Sequence, residues 1–119
     1  MFDHVGIKVH DLGASAAFYA AALAPLGYAQ GYEDQTMVCL GPKEGPAFWL
    51  YRSVRPAGSG SHVAFRADNR GAVDQFYSAA LKAGATDNGP PGLRPDYGPT
   101  YYAAFVVDLD GNNIEAMLT

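Results

Sequence analysis

HVGIKVHDLGASAAFYAAAL, residues 4–23, and HVAFRADNRGAVDQFYSAAL, residues 62–81, are two copies of one pattern. The copies align without a gap at a constant offset of 58 residues and are identical at nine of their twenty positions. That offset is close to half of the 119-residue chain. Because self-similarity at a fixed period indicates a repeated structural unit, the sequence predicts two similar half-domains. The repeat also makes His4 and His62 a symmetric pair.

Each copy is predicted to begin with a strand and a helix. Residues 4–9 and 62–66 alternate between apolar and polar side chains, which is the period of a strand. Helices are expected to end near residues 24 and 83, with Asp11 and either Asp68 or Asn69 as N-caps. Further strands are predicted at residues 28–33, 36–40 and 47–52 and at 85–89, 101–107 and 113–118, with a Pro/Gly-rich loop over 90–99.

The element order predicts an α+β domain that covers residues 1–119 and consists of two βαβββ modules. Module one spans about residues 1–55, module two spans about 62–119, and PAGSGS at 56–61 is the expected linker. A βαβ crossover followed by antiparallel strands produces a mixed sheet with its helix on one face.

Composition excludes several classes of partner. With a net charge of −4 and a pI near 5.1, the chain has no electrostatic basis for binding nucleic acid or an anionic membrane. Its single cysteine, Cys39, excludes an intrachain disulfide and lies in the apolar run MVCL, which predicts a buried, inert thiol. No apolar run is long enough to span a bilayer and no targeting segment is evident, so a cytoplasmic location is expected.

Strand parity places three potential metal ligands on one sheet face. The apolar residues of each first strand are expected to point toward the helix, so His4 and His62 point the other way. Glu115 joins them if Ile114 packs beneath a helix. Two imidazoles and a carboxylate are a facial ligand set for a divalent metal, with coordination positions left open. The alternative is that each histidine is an ordinary surface residue, which is the simplest interpretation of His10.

Three stretches resemble the vicinal oxygen chelate superfamily: DHVGIKVHDLGASAAFY at 3–19, SHVAFRADNRGAVDQFY at 61–77 and YYAAFVVDLDGNNIEAML at 101–118. This superfamily includes glyoxalase I, extradiol dioxygenases, fosfomycin resistance proteins, methylmalonyl-CoA epimerases and bleomycin resistance proteins. The resemblance covers essentially the whole chain, and the D-x-DGNxIE ending is its most specific part. It implies two βαβββ modules whose mixed sheets curl into a cup that holds a metal, with the helices on the outer face.

The resemblance assigns the metal ligands by position. His4 and His62 match the first-strand ligands, Glu115 matches the last-strand ligand of module two, and the fourth position falls on Trp49, which cannot bind a metal. Glyoxalase I and the epimerases have Glu or Gln at that fourth position, so the difference argues against glyoxalase activity. The His/His/Glu set looks more like the dioxygenases and the fosfomycin-modifying transferases. The metal is expected to be Fe, Mn, Ni, Co or Zn.

The resemblance implies a small metal-dependent enzyme that chelates neighbouring oxygens of a small-molecule substrate. Lyase, isomerase, transferase and dioxygenase chemistry all stay open. The alternative is a metal-free binding or drug-sequestering protein that resembles bleomycin resistance proteins. The candidate catalytic residues are Glu115, Tyr101 and Tyr102, and the candidate pocket residues are Trp49, Tyr51, Arg94 and Thr100.

Short members of the superfamily resemble homodimers in which the two modules of one cup come from different chains. We therefore expect a homodimer, with shared sites as one alternative for His4 and His62. A dimeric ferredoxin-like barrel is a weaker fold alternative, because it predicts neither the repeat nor the placement of Glu115.

Overall fold

The computed structural model describes residues 1–54 and 60–119 and contains two βαβββ modules. Module one comprises β1 (Val5–Val9), α1 (Leu12–Leu23), a short 3-10 turn (Ala24–Leu26), β2 (Ala29–Glu33), β3 (Met37–Gly41) and β4 (Phe48–Arg52). Module two comprises β5 (His62–Arg66), α2 (Arg70–Lys82), β6 (Thr86–Leu93), β7 (Tyr102–Val107) and β8 (Asn113–Leu118). The predicted linker at 56–61 lies mostly outside the described residues.

The strands form two four-stranded mixed sheets, which confirms the predicted α+β fold. Sheet A has the order β1-β4-β3-β2 and sheet B has the order β5-β8-β7-β6. In each sheet the first strand of the module pairs in parallel with the last, and the remaining pairs are antiparallel. Across the described residues the two sheets do not close into a barrel.

One hydrophobic core connects the two modules. Helices α1 and α2 pack on one face of their own sheets and against each other. Phe48 of β4 and Phe65 of β5 meet edge to face with ring centroids 5.2 Å apart, so the core crosses the boundary between the modules. Ile7, Phe65 and Ile114 are buried on this side. The opposite face of each sheet is therefore the open one, as parity predicts.

Both helices begin at polar caps. The Asp11 carboxylate accepts a hydrogen bond from the backbone N–H of Ala14 at 3.0 Å. Asn69 accepts from Ala72 at 2.8 Å and is therefore the cap of α2, rather than Asp68. Neither of the two helices in the described part of the chain is long and apolar enough to cross a membrane.

The predicted extent of β6 is wrong. This strand continues through Pro90 and Pro91 to Leu93, whereas the sequence predicted a loop from residue 90. β6 is an edge strand, and its pairing with β7 shifts register on both sides of Gly89. Proline is tolerated at an edge or a bulge because no ladder hydrogen bond requires its missing N–H.

A buried carboxylate organises the turn between β7 and β8. Asp108 Oδ1 accepts from the backbone N–H groups of Asp110 and Asn112 at 2.9 and 2.8 Å. Its Oδ2 accepts from the side-chain amide of Asn112 at 3.0 Å. Both Asp108 and Asn112 are buried, so the DGN part of the C-terminal pattern builds the turn that starts β8.

The same turn holds the first helix. The hydroxyl of Tyr19 in α1 donates to Asp108 Oδ2, and burial followed by the charge of Asp108 raises the pKa of this tyrosine far above its usual value. Asp110 accepts from the backbone N–H of His10 at 2.9 Å and from the Ser15 hydroxyl at 3.4 Å. Module one is thus tied to module two by polar contacts as well as by the core.

Removal of the Tyr19 hydroxyl is expected to destabilise the protein much more than the same change at its repeat partner. Tyr19→Phe withdraws a donor from a buried carboxylate and should lower the free energy of unfolding by about 1–3 kcal/mol. Tyr77→Phe removes only a solvent-exposed hydrogen bond to Asp87, so its effect should stay within about 0.5 kcal/mol. Urea denaturation of both variants measures the difference, and equal losses would contradict the role of Asp108.

Candidate functional site

His62 and Glu115 meet on the open face of sheet B. Glu115 is central in β8, where its neighbour across the parallel pair is Ala64, and it is only 3% exposed. His62 Nε2 lies 3.1 Å from Glu115 Oε2, and His62 Nδ1 lies 3.0 Å from the backbone oxygen of Asn113. The sequence predicts that His62 and Glu115 lie on the same open face, and the contact between them agrees with this placement.

The hydrogen bonding of His62 leaves a place for a cation between the two side chains. A carbonyl oxygen only accepts, so the Nδ1 of His62 carries a proton. In the neutral imidazole, Nε2 then presents a lone pair to the carboxylate of Glu115, which is favourable only with a proton or metal ion between them. The distance of 3.1 Å between Nε2 and Oε2 is that of an N–H···O hydrogen bond, and it also suits two ligands of one metal.

Tyr101 completes the surroundings of Glu115. Its hydroxyl donates to Glu115 Oε1 at 2.5 Å, so both carboxylate oxygens are engaged. Burial, together with the hydrogen bond and charge of Glu115, raises the pKa of Tyr101 to about 12. The phenol therefore keeps its proton at neutral pH and acts as a hydrogen-bond donor at this site.

Three other predicted site residues lie elsewhere. The side chain of His4 is 52% exposed, and its Nδ1 lies 2.7 Å from Asp3 Oδ1. Tyr102 belongs to the helix-packed face, where its hydroxyl donates to Asp74 of α2 at 2.6 Å, so the structure does not bring it to Glu115. Thr100 is exposed in the segment before β7. Within 1–54 and 60–119, no three His, Cys, Asp or Glu side chains come close enough to hold one metal, so the three-ligand set stays a prediction.

Strand register places Trp49 and Glu115 at equivalent positions in the two modules. Trp49 of β4 pairs with Gly6 of β1, and Glu115 of β8 pairs with Ala64 of β5. Gly6 and Ala64 are the same position of the sequence repeat. The duplicated architecture thus carries an indole in one module where it carries a carboxylate in the other.

Trp49 belongs to an apolar cavity of about 510 Å³ on the open face of sheet A. Trp49 and Tyr51 are stacked, with ring centroids 6.3 Å apart and planes 12° apart. The absence of a side chain at Gly6 makes this possible, because a Cβ there would lie 2.5 Å from Cε2 of Tyr51. The cavity is lined mainly by glycine, proline and aromatic residues, with Cys39 at its wall.

Arg94 belongs to a second, polar cavity of about 320 Å³ on module two. Its guanidinium carbon lies 5.4 Å from the ring centroid of Phe105, and the same ring stacks with His62 at 6.4 Å. Phe105, Asn88 and Asn113 were not anticipated from the sequence. Strand alternation could have placed Asn113 and Phe105 on the open face. Asn113 alternates with Ile114 on β8, and Phe105 pairs with Glu115.

Comparison with known proteins identifies relatives over the whole chain. A family model described as the Glyoxalase/Bleomycin resistance protein/Dioxygenase superfamily matches residues 1–116. A solved glyoxalase/bleomycin resistance protein from Albidiferax ferrireducens is 33% identical with a TM-score of 0.85, covering 98% of this chain and 97% of that one. No curated protein matches the chain.

Two more distant structures share the fold. A glyoxalase/bleomycin resistance protein/dioxygenase family enzyme from Burkholderia phytofirmans is 21% identical with a TM-score of 0.75, covering 97% of this chain and 95% of that one. A glyoxalase-related enzyme from Fulvimarina pelagi is 18% identical with a TM-score of 0.71, covering 100% and 88%. At these identities the similarity supports the architecture alone.

The aromatic pair on sheet A provides a direct test of the open-face geometry. Gly6→Ala is expected to displace the Tyr51 ring and to shift the emission of Trp49, the only tryptophan, to longer wavelength as the indole gains exposure. Gly13→Ala is the matched control, because a Cβ at this helical position meets nothing closer than 3.7 Å. Fluorescence and near-UV circular dichroism measure the change. An unaltered spectrum in folded Gly6→Ala would contradict the stacking.

Proposed function

This chain belongs to the glyoxalase/bleomycin resistance protein/dioxygenase superfamily, and on that premise we propose that it is a metal-dependent enzyme. His62 and Glu115 of one chain would hold a divalent metal, and the substrate would be a small molecule with neighbouring oxygen atoms. The third ligand would be His4 of a second copy in a homodimer. Fe, Mn, Ni, Co and Zn all accept such nitrogen and oxygen ligands.

The contact between His62 and Glu115 carries this proposal. A carboxylate that is only 3% exposed is costly to keep charged unless a cation or several donors compensate it. Tyr101 supplies one donor, and Nε2 of His62 lies 3.1 Å from the other carboxylate oxygen. The hydrogen bond from His62 Nδ1 to a backbone carbonyl is the orienting contact that metal-bound histidines commonly make.

The position of His4 supports a site shared between chains. His4 precedes β1, an edge strand of sheet A, and it corresponds to His62 in the repeat. Beside it, Phe2 is 90% exposed and Val5 is also exposed. Exposed apolar side chains at an edge strand favour burial against another subunit.

The buried thiol of Cys39 fits the reducing cytoplasm as the compartment.

The chain's own residues define what the site can do. A bound divalent metal supplies Lewis-acid stabilisation of negative charge on substrate oxygens. Tyr101 keeps its proton and orients the Glu115 carboxylate, while Trp49 and Tyr51 offer an apolar wall for the substrate body. Lyase, isomerase, transferase and dioxygenase chemistry are compatible with this set, and activity assays with and without oxygen separate the last from the others.

A metal-free binding protein is the second candidate function. The observation that favours it is the apolar cavity of about 510 Å³ beside Trp49, because such a cavity can hold a flat ligand without any metal. Saturable quenching of Trp49 fluorescence by aromatic compounds, together with a lack of metal uptake, would support this candidate over the enzyme.

Metal content is expected to depend on Glu115. Chelator-treated protein reconstituted with each divalent metal should retain about one equivalent per chain, and Glu115→Gln should lower the affinity by about 10–100-fold or more, since it removes a charged ligand. Glu44→Gln is the control, because Glu44 is an exposed carboxylate in the turn before β4. Elemental analysis after gel filtration measures the content. Equal retention by Glu115→Gln and wild type would overturn the ligand assignment.

Mixing two inactive variants distinguishes shared sites from sites within one chain. His4→Ala and His62→Ala should each lose metal, whereas a mixture refolded together should regain about a quarter of the wild-type content, because half of the dimers are mixed and each has one intact site. Exchange is verified with differently tagged chains. A mixture of exchanged chains that holds no more metal than its components would contradict the shared site.

A further inference from the structure

Arg94, a candidate pocket residue, shares the ring of Phe105 with His62 and lines a polar cavity for which the proposed metal site has no use. We propose that Arg94, Asn113 and Tyr97 form an anion pocket that binds a carboxylate, phosphate or phosphonate group of the substrate. The assignment of this anion to the substrate rests on the proposed function. The pocket itself follows from the geometry of β6 and the segment after it.

Two glycines make room for the arginine. A Cβ at Gly89 would lie 3.2 Å from Nη2 of Arg94, and a Cβ at Gly92 would lie 3.2 Å from Nη1. Gly89 also has φ +145° at the irregular part of β6. The guanidinium therefore lies against the bare backbone of the bulged strand, where other residues would exclude it.

Backbone carbonyls orient the guanidinium without neutralising it. Nη2 of Arg94 donates to the oxygen of Pro90 at 2.6 Å, and Nη1 approaches the oxygen of Leu93 at 3.5 Å. Among the described residues Arg94 makes no ion pair with a carboxylate. The backbone N–H of Arg94 also donates to the backbone oxygen of Tyr101 at 2.7 Å. The segment that positions this arginine therefore also positions Tyr101, the hydrogen-bond donor to Glu115. An oriented arginine with its full charge is suited to bidentate recognition of carboxylate or phosphate.

The remaining lining suits an anion. The cavity of about 320 Å³ is bounded by Asn88, Gly89, Arg94, Tyr97, Phe105 and Asn113, without an acidic side chain. Asn88 donates its amide to Asn113 Oδ1 at 3.2 Å, which turns the amide of Asn113 outward as a donor. The Tyr97 side chain is 66% exposed and contributes a phenol.

The charge of this face opposes that of the whole chain. Although the net charge of the chain is −4, Arg94 is the only charged residue among those that line the cavity. A local excess of positive charge in a concave site attracts anions despite a negative total. Phe105 contacts both Arg94 and His62, so the pocket and the proposed metal position share one aromatic neighbour.

Titration of metal-free protein with sodium acetate and with methylphosphonate tests the pocket. At constant ionic strength set with chloride, ¹⁵N NMR should show saturable shifts of the Gly89 and Gly92 amides and of the Asn88 and Asn113 side chains. Arg94→Gln should weaken binding about tenfold or more, because a hydrogen bond to a charged group is lost. Arg94→Lys keeps the charge without the planar fork and should give an intermediate affinity.

Arg70→Gln is the matched control. Arg70 also lies over a ring, with its guanidinium carbon 4.9 Å from the centroid of Tyr102, but on the helix-packed side. This variant changes the net charge equally and should bind the anion as wild type does. Tighter binding of acetate would indicate a carboxylate substrate, and tighter binding of methylphosphonate would indicate a phosphate or phosphonate.

Three results would overturn the anion pocket: no saturable shift with either anion, unchanged binding by folded Arg94→Gln, or equal weakening by Arg70→Gln. Metal content measured on the same samples separates the two proposals. Anion binding without metal uptake would overturn the metalloenzyme and leave the pocket in place. Metal uptake without anion binding would overturn the anion pocket and leave the metalloenzyme in place.

Discussion

The buried carboxylate of Asp108 is the constraint on which the rest of the structure depends. It accepts hydrogen bonds from its own turn, from Asn112 and from Tyr19 of the other module, and Asp108, Asn112 and Tyr19 are all buried away from bulk water. Because the turn sets where β8 begins, it also sets the alternation that buries Ile114 and presents Glu115 on the open face. The DGN part of the pattern therefore builds the turn that joins the two modules, and the same turn fixes the face of sheet B on which Glu115 lies.

The repeat gives the two modules the same architecture, while differences between the copies give their open faces different side chains. The two modules share strand order, crossover and helix cap, yet equivalent positions have diverged toward opposite properties. Trp49 and Glu115 occupy the equivalent position in the last strand of each module, where Trp49 pairs with Gly6 and Glu115 pairs with Ala64. As a result, the open face of sheet A carries the stacked rings of Trp49 and Tyr51, whereas that of sheet B carries the contact between His62 and Glu115.

The sequence predicts most of the fold because its signals are local. Strand alternation, helix caps and the 58-residue repeat are visible in short windows, and parity then places His62 and Glu115 on the same face. It does not distinguish Tyr101 from Tyr102, since that choice depends on the β7–β8 register, which the buried turn determines. The bond between Tyr19 and Asp108 joins residues far apart in the chain and has no local signal. Extension of β6 through two prolines was missed because the proline rule depends on whether a strand lies at an edge.

Those two prolines also limit how the β6 edge of sheet B can pair with another strand. A sheet grows by pairing with backbone N–H and C=O groups along its outermost strands, and Pro90 and Pro91 have no N–H to donate in β6, an edge strand of sheet B. The opposite border is β5, which begins at His62 and retains its donors. A second chain is therefore less able to extend sheet B by pairing with β6 at these residues. The irregular part of β6 that holds Arg94 thus also limits edge-to-edge pairing at this border.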